Sequence, residues 1–229
     1  MITLPKAITF DCYGTLIDWE SGIQQFFAQR LAAHNIEGMD PRALQLHWEE
    51  IQFVSIQQQY RPYREVLRET MRMTLDSWQI PYAEQDLEEF ANAIGSWQPF
   101  PDTKQALLEL QKLTKTVLIT NTDDEIVAET QRTIGVTFDD IITAQQAGAY
   151  KPSHKGFLLA RHRLGLPVSE IWHAGFGFKY DIVPATELGY TTVWVNRQGE
   201  ARPMDVHETF LVGDLRTLLY LVKGMAAEM

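Results

Sequence analysis

The chain has 229 residues, 45% of them hydrophobic, and carries 30 Asp plus Glu against 20 Lys plus Arg, a formal net charge of −10. That length can bury a large core and allows one domain with a smaller one inserted, while the acidic balance, with no local basic patch, speaks against nucleic acid and anionic lipid as partners. The single cysteine, Cys12, excludes an internal disulfide; with no zinc-type Cys/His spacing, signal-peptide pattern or long apolar run, a soluble cytoplasmic protein with no membrane contact is expected.

In chain order, Ala7 to Phe10 is short, apolar and followed by Asp11, the pattern of a buried strand. From residue 20 to about 98 strand-like alternation disappears. Ile23, Phe26, Phe27, Arg30 and Leu31 keep helical spacing, as do Leu44, Trp48, Ile51 and Ser55, then Val66, Leu67 and Met71, then Leu87, Phe90, Ala91 and Ile94. The spacing predicts a bundle of about four helices inserted after the first strand. Hinges are expected near Leu16 to Glu20 and near Trp97 to Pro101, where Pro99 and Pro101 stiffen the return crossing. Trp19, Trp48, Trp78 and Trp97 lie in or beside the insert. Bundle core accounts for any of them; the sharper reading has Trp19, Trp48 or Trp97 lining a pocket between insert and sheet.

Beyond the insert, strand-like runs recur at Thr116 to Ile119, Ile141 to Thr143, Glu170 to Ala174, Thr192 to Val195 and Phe210 to Val212. Helical patterns separate most of them: Ala106, Leu107, Leu110 and Leu113; Ile126, Val127 and Thr130 before a C-cap at Gly135; Phe157, Leu158, Arg161 and Leu164 behind a Ser153 cap; and Ile182 and Val183, ending near Gly189. Strands alternating with helices predict an α/β fold, a Rossmann-like, mostly parallel sheet covered on both faces. The core is expected over residues 1–16 and 99–229 and the helical domain over residues 17–98.

In an open parallel sheet, ligands bind beyond the carboxyl ends of the strands where strand order reverses. Those ends carry Asp11, then Thr120 and Asn121, then Lys151 in the following loop, then Gly175 with Asp181 beyond it. Asp11 can serve as a nucleophile that forms an aspartyl intermediate, or merely cap the following turn. Gly14 permits a tight turn, and Thr15 brings a hydroxyl and an amide beside the nucleophile. Thr120 and Asn121 offer hydrogen bonds to substrate oxygens, with free N–H groups at the helix start near Asp124. Lys151 can hold Asp11 ionised and neutralise an anion, and Asp181 can orient a water. Each also has a plain structural role available: an N-cap for Thr120, an exposed lysine, an acid in a first helical turn. Cys12 should face away from Asp11, and His173, in a strand beside the site, reads as buried packing with one hydrogen bond. The stretch Gly175-Phe176-Gly177-Phe178 lacks the remaining glycines and the Lys-Ser or Lys-Thr of a nucleotide-phosphate loop.

Together, Asp11-Cys12-Tyr13-Gly14-Thr15-Leu16, Thr120-Asn121, Lys151-Pro152 and the Gly175 to Asp181 segment resemble the haloacid dehalogenase-like hydrolase superfamily, with the helical insert similar to its first class of cap domain. Phosphatase members place a second Asp two residues after the nucleophile and another after the glycine of the last motif; here those positions hold Tyr13 and Phe176. Tyr13 instead resembles the type II, L-2-haloacid dehalogenase branch. That resemblance implies attack by Asp11 on C2 of a 2-halocarboxylate, hydrolysis of the ester to a 2-hydroxy acid, Lys151, Thr15, Thr120 and Asn121 holding charged groups, Asp181 serving the water, and no metal or other cofactor. The departures are Glu49 where the branch has a cap arginine after Trp48, with Arg42 nearby, Phe157 where it has an aromatic hydroxyl, and Phe176 and Phe178 where it has Ser and Asn. With Tyr13 and Trp48, the two phenylalanines are expected against a small anionic substrate. A homodimer paired through the caps is a further implication. A phosphatase of a small phosphomonoester and a non-catalytic small-acid binding protein are the alternatives.

Overall fold

The computed structural model describes residues 3–203 and 205–227. The chain runs β1 (Ala7–Phe10), α1 (Trp19–Ala33), α2 (Pro41–Ile56), α3 (Tyr63–Ser77), α4 (Glu84–Ala93), α5 (Thr103–Leu110), β2 (Lys115–Thr120), α6 (Asp124–Ile134), β3 (Asp140–Thr143) and α7 (Ala144–Ala147). It continues through α8 (Lys155–Leu164), β4 (Ile171–Gly175), a wide π-turn (Phe178–Ile182) leading into α9 (Val183–Glu187), β5 (Thr191–Val195), β6 (Phe210–Val212) and α10 (Leu215–Ala227). All six strands pair in parallel in the order β3-β2-β1-β4-β5-β6.

β1 lies between β2 and β4 and is buried on both faces, which is why it reads as an unbroken apolar run. The chain builds outward from β1 to β3 on one side, then returns to β4 and builds outward on the other. Strand order therefore reverses at the β1/β4 pair, where β-sheet ligands bind. Phe10 pairs with Leu118 and with Ala174, so the residues that follow β1 and β4 emerge at one level. Gly135 ends α6 with φ of 69°, as its sequence position predicts. At α8 the cap is His154, and Ser153 reaches the Lys155 N–H only at 3.4 Å because the Ser153 N–H already closes a turn onto the Tyr150 carbonyl.

The four helices α1 to α4 form the insert between β1 and α5. Asp18 caps α1 by accepting from the Ser21 N–H, and Asp40 caps α2 with Pro41 in its first turn. Ile23, Phe27 and Leu31 pack against Leu44, Trp48, Val66, Leu67, Met71, Leu87 and Phe90, joined by Ile126, Ala144 and Tyr150 from the sheet side. The two crossings pair with each other: the Asp18 N–H donates to Gln98 O at 2.9 Å and the Phe100 N–H to Leu16 O at 3.0 Å. Among the described residues no helix is long and apolar enough to cross a membrane.

Candidate active site

Asp11 leaves the end of β1 just where Gly14, at φ of 92°, turns the chain back, and a Cβ there would lie 2.3 Å from the Phe176 ring. That turn lets Thr15 reach back, and its hydroxyl donates to Asp11 Oδ2 at 2.7 Å. The same oxygen of Thr15 accepts from the Phe176 N–H at 2.8 Å, which ties the loop after β4 to the loop after β1. Lys151 comes up from the loop after α7. Its ammonium donates to Asp11 Oδ1 at 2.7 Å, Asp181 Oδ1 at 2.7 Å and the Ile119 carbonyl at 3.0 Å. All three ammonium hydrogens are thereby used, so Lys151 acts on a ligand by its charge and must exchange a partner to touch it.

Asp181 is 1% exposed. Its Oδ1 also faces His173 Nε2 at 3.2 Å, and its Oδ2 accepts from the Gly177 N–H at 3.1 Å. The glycines that resemble a phosphate loop serve this carboxylate, since a Cβ on Gly175 would come within 2.6 Å of the Asp181 side chain. Burial first, then the charge of Asp181, pushes the Asp11 carboxyl above its ordinary range against the pull of Lys151 and Thr15. Burial also opposes ionisation of Asp181, but Lys151 and His173 more than offset it and hold that carboxyl low. Burial disfavours the Lys151 cation too; the two carboxylates outweigh it and raise the ammonium. Lys151, expected to hold Asp11 ionised, works in that direction, and desolvation with Asp181 works more strongly in the other.

These groups form the floor of a cavity of about 60 Å³ between sheet and insert. Asn121 reaches it, but its carboxamide grips the Lys151 backbone, accepting from the N–H at 2.6 Å and donating to the carbonyl at 3.1 Å. Tyr13 lines it as well, yet its hydroxyl is 2.6 Å from Thr130 Oγ1 on α6, and burial pushes that phenol up. Phe176 and Tyr180 wall the cavity from a vestibule of about 210 Å³, where Glu20, Arg42, Glu49 and Lys179 lie. The cap side is lined by Trp19, Gln52 and Tyr63, with Gln52 Nε2 donating to the Tyr63 hydroxyl at 3.0 Å.

Three expected substrate contacts stand off this cavity. Trp48 fills the bundle core at 1% exposure, its indole N–H donating to Thr70 Oγ1 at 3.0 Å. Phe178, the first residue of the π-turn, packs edge-on against Trp194. Thr120 is buried with its hydroxyl 3.1 Å from that of Thr122. Of the amides near Asp124, its own N–H donates to Gln145, and the Asp123 carboxylate beside it accepts from the Tyr60 hydroxyl and the Tyr63 N–H. Arg42 sits in the vestibule.

Sequence reasoning missed Gln52, Tyr63, Tyr180 and Arg197. Gln52 had a signal, a glutamine on the buried stripe between Trp48 and Ser55. Arg197 had none: it follows β5 and grips the Thr15 carbonyl, with Nη2 at 2.8 Å and Nε at 3.1 Å. His173, taken as packing with one hydrogen bond, has two polar partners, Asp181 and Thr9.

Magnesium fits this donor set poorly. A hard dication takes about six oxygen ligands, whereas the oxygens of Asp11 and Asp181 already accept from Lys151, Thr15, His173 and Gly177. The Phe176 ring adds no oxygen, and no group of three or more His, Cys, Asp or Glu able to hold a metal ion occurs among the described residues.

Comparison with known proteins matches this arrangement. The (S)-2-haloacid dehalogenase H-109 of Pseudomonas putida is 24% identical over 204 residues, 85% of this chain and 87% of that protein. The crystal structure of an L-2-haloacid dehalogenase superposes with a TM-score of 0.87 at 21% identity, over 96% of this chain and 100% of the other. The L-2-haloacid dehalogenase of Xanthobacter autotrophicus with chloropropionic acid covalently bound gives 0.82 at 22% identity, over 96% and 99%. The sequence pattern of haloacid dehalogenase-like hydrolases spans residues 5–189, and with the strand order and the Asp11–Lys151–Asp181 cluster on the page the chain belongs to the haloacid dehalogenase-like hydrolase family.

Proposed function

We propose that this hydrolase, which acts through a covalent aspartyl intermediate on a small anionic substrate, is a 2-haloacid dehalogenase. The reading rests chiefly on Tyr13. Its hydroxyl is engaged with Thr130 at 2.6 Å, so the position two residues after the nucleophile supplies no proton to a leaving group. A halide needs none. An Asp11 carboxylate oxygen attacks C2, the C–O bond forms as the C–halogen bond breaks, and the halide leaves with the bonding pair. Water then adds to Asp11 Cγ and gives a proton to Asp181. The Cγ–O bond to the alkyl group breaks, the alkoxide takes the proton back from Asp181, the new Asp11 carboxyl releases its own proton to solvent, and a 2-hydroxy acid departs.

The small cavity between insert and sheet suits a short acid. The similar proteins from Pseudomonas putida and Xanthobacter autotrophicus, whose names and bound acid are of this chemistry, support the same substrate class. The test is halide release from a panel of 2-haloacids in oxygen-18 water, with and without chelator, followed by mass analysis of the peptide holding Asp11. Label in that peptide after many turnovers, its loss in Asp11→Asn, and indifference to chelator are the expected results. Label confined to the first product, or phosphate release that a chelator abolishes, overturns the reading.

A further inference from the structure

His173 is fully buried in the middle of β4, directly across from Thr9 of β1. A strand position of this kind packs equally well with leucine or valine, and a buried imidazole is costly unless its nitrogens are partnered. Both are. Nδ1 is 2.8 Å from Thr9 Oγ1 and Nε2 is 3.2 Å from Asp181 Oδ1, while the Phe157 ring stands edge-on at 4.9 Å and fixes the imidazole plane.

The proton positions follow from the partners. An ionised Asp181 only accepts, so Nε2 carries a hydrogen and donates to Oδ1. In the neutral ring Nδ1 then accepts from the Thr9 hydroxyl. Thr9 Oγ1 also lies 3.1 Å from the Trp172 carbonyl, so if the ring gains a proton the hydroxyl can turn to that carbonyl and accept from Nδ1 instead. The Nε2–H to Asp181 bond survives in either state.

Lys151 and His173 both donate to Oδ1, which fills that oxygen. Oδ2 accepts only from the Gly177 N–H among the described residues, and Asp181 lines the cavity. One lone pair of one oxygen is left for a ligand.

We propose that His173, locked by Thr9, is a positioning residue for the hydrolytic half of the reaction: it saturates Asp181 Oδ1 and holds the carboxylate so that Oδ2 alone meets the attacking water. The inference rests on the dehalogenase reading above, and on its second step only. His173 touches neither substrate nor Asp11. Its loss should therefore spare the formation of the ester and slow its breakdown.

The experiment is rapid-quench turnover of 2-chloropropionate by wild type, His173→Leu and His173→Gln, reading halide release and the mass of the Asp11 peptide. A hydrogen bond to a charged group is worth about tenfold to hundredfold in rate, so His173→Leu should release one halide per chain at nearly the wild-type rate and then turn over that much more slowly. The Asp11 peptide should carry the 1-carboxyethyl ester in a larger fraction of chains than in wild type. His173→Gln, whose amide can still donate to Oδ1, should recover most of the second rate. Should His173→Leu fail to fold, Thr9→Val takes its place, with a smaller slowing of the same step. Equal loss of both steps, absence of extra ester, or a glutamine variant no better than leucine overturns the assignment and leaves the dehalogenase reading standing. A wild-type protein that releases no halide from any 2-haloacid overturns both.

Discussion

Arg197 and Asp102 meet in a two-pronged ion pair, Nη1 to Oδ1 at 3.0 Å and Nη2 to Oδ2 at 3.1 Å, across 95 residues of sequence. The guanidinium also lies 4.0 Å over the Phe100 ring and grips the Thr15 carbonyl, while Asp102 Oδ2 accepts from the Leu215 N–H. One fork thus joins the loop of the nucleophile, the return crossing from the helical insert and the start of α10. Removing one partner of a buried pair leaves the other charge unmatched, at a cost of about 3–5 kcal/mol. Arg197→Met should lose stability of that order in denaturant titration, with turnover falling because Thr15 no longer holds its hydroxyl on Asp11. Arg197→Lys keeps the charge but not the fork and should recover only part of either.

Asp11 is strained electrostatically in the opposite sense from Asp181. Its raised carboxyl favours the folded state below the unfolded-state value and withdraws that contribution as pH rises through the folded value. Asp181, held low, contributes above its unfolded-state value and loses that contribution as pH falls through the folded one. Asp11→Asn should therefore be inactive yet more stable than wild type near neutral pH, by about 1 kcal/mol, with the difference closing as pH falls. Thermal melts of both proteins from neutral to acid pH check it. In wild type the acid limb of the alkylation rate should lie above the ordinary carboxylate range.

Gly14 cannot carry a side chain without moving Phe176. A Cβ would stand 2.3 Å from that ring, at a φ of 92° that side chains rarely adopt. Backbone strain of this kind costs about 1–3 kcal/mol, and Gly14→Ala should show such a loss in denaturant together with collapse of turnover. Adding Phe176→Ala removes the clash but not the positive φ, so the double variant should recover part of the stability. Simple additivity of the two changes would contradict the packing described.

At the vestibule, burial and then Glu20 and Glu200 push Glu49 up to about 7, against the pull of Lys179. Above that pH the vestibule, which shares Phe176 and Tyr180 with the cavity, carries one more negative charge. For an anionic substrate the apparent KM should rise as pH rises through about 7. Two like charges roughly 8 Å apart in water interact by about 0.5 kcal/mol, a factor of two to three. Glu49→Gln should flatten the change, and added salt should shrink it.

The apolar run of β1 and the alternation that follows Pro101 specify an α/β sheet interrupted by helices, because burial on two faces of a strand and one face of a helix leaves a periodic mark in the chain. Asp11 is marked locally, since a charged residue at the end of an apolar strand has few structural reasons to be there, while Lys151 and Asp181 are marked by the segments beyond later strands in which they lie. Trp48 and Phe178 read as pocket residues for want of direction: neither periodicity nor proximity says which way a ring turns, and one went into the bundle core and the other against Trp194. What only the tertiary structure decided is how far-separated groups share protons. Lys151 between two carboxylates, His173 between Thr9 and Asp181, and Arg197 on the Thr15 carbonyl each depend on distances across strands and loops 30 or more residues apart for Lys151 and Asp181, and 182 apart for Arg197 and Thr15. Hydrogen bonds and desolvation act through a few ångströms of space, and a sequence orders residues only along the chain.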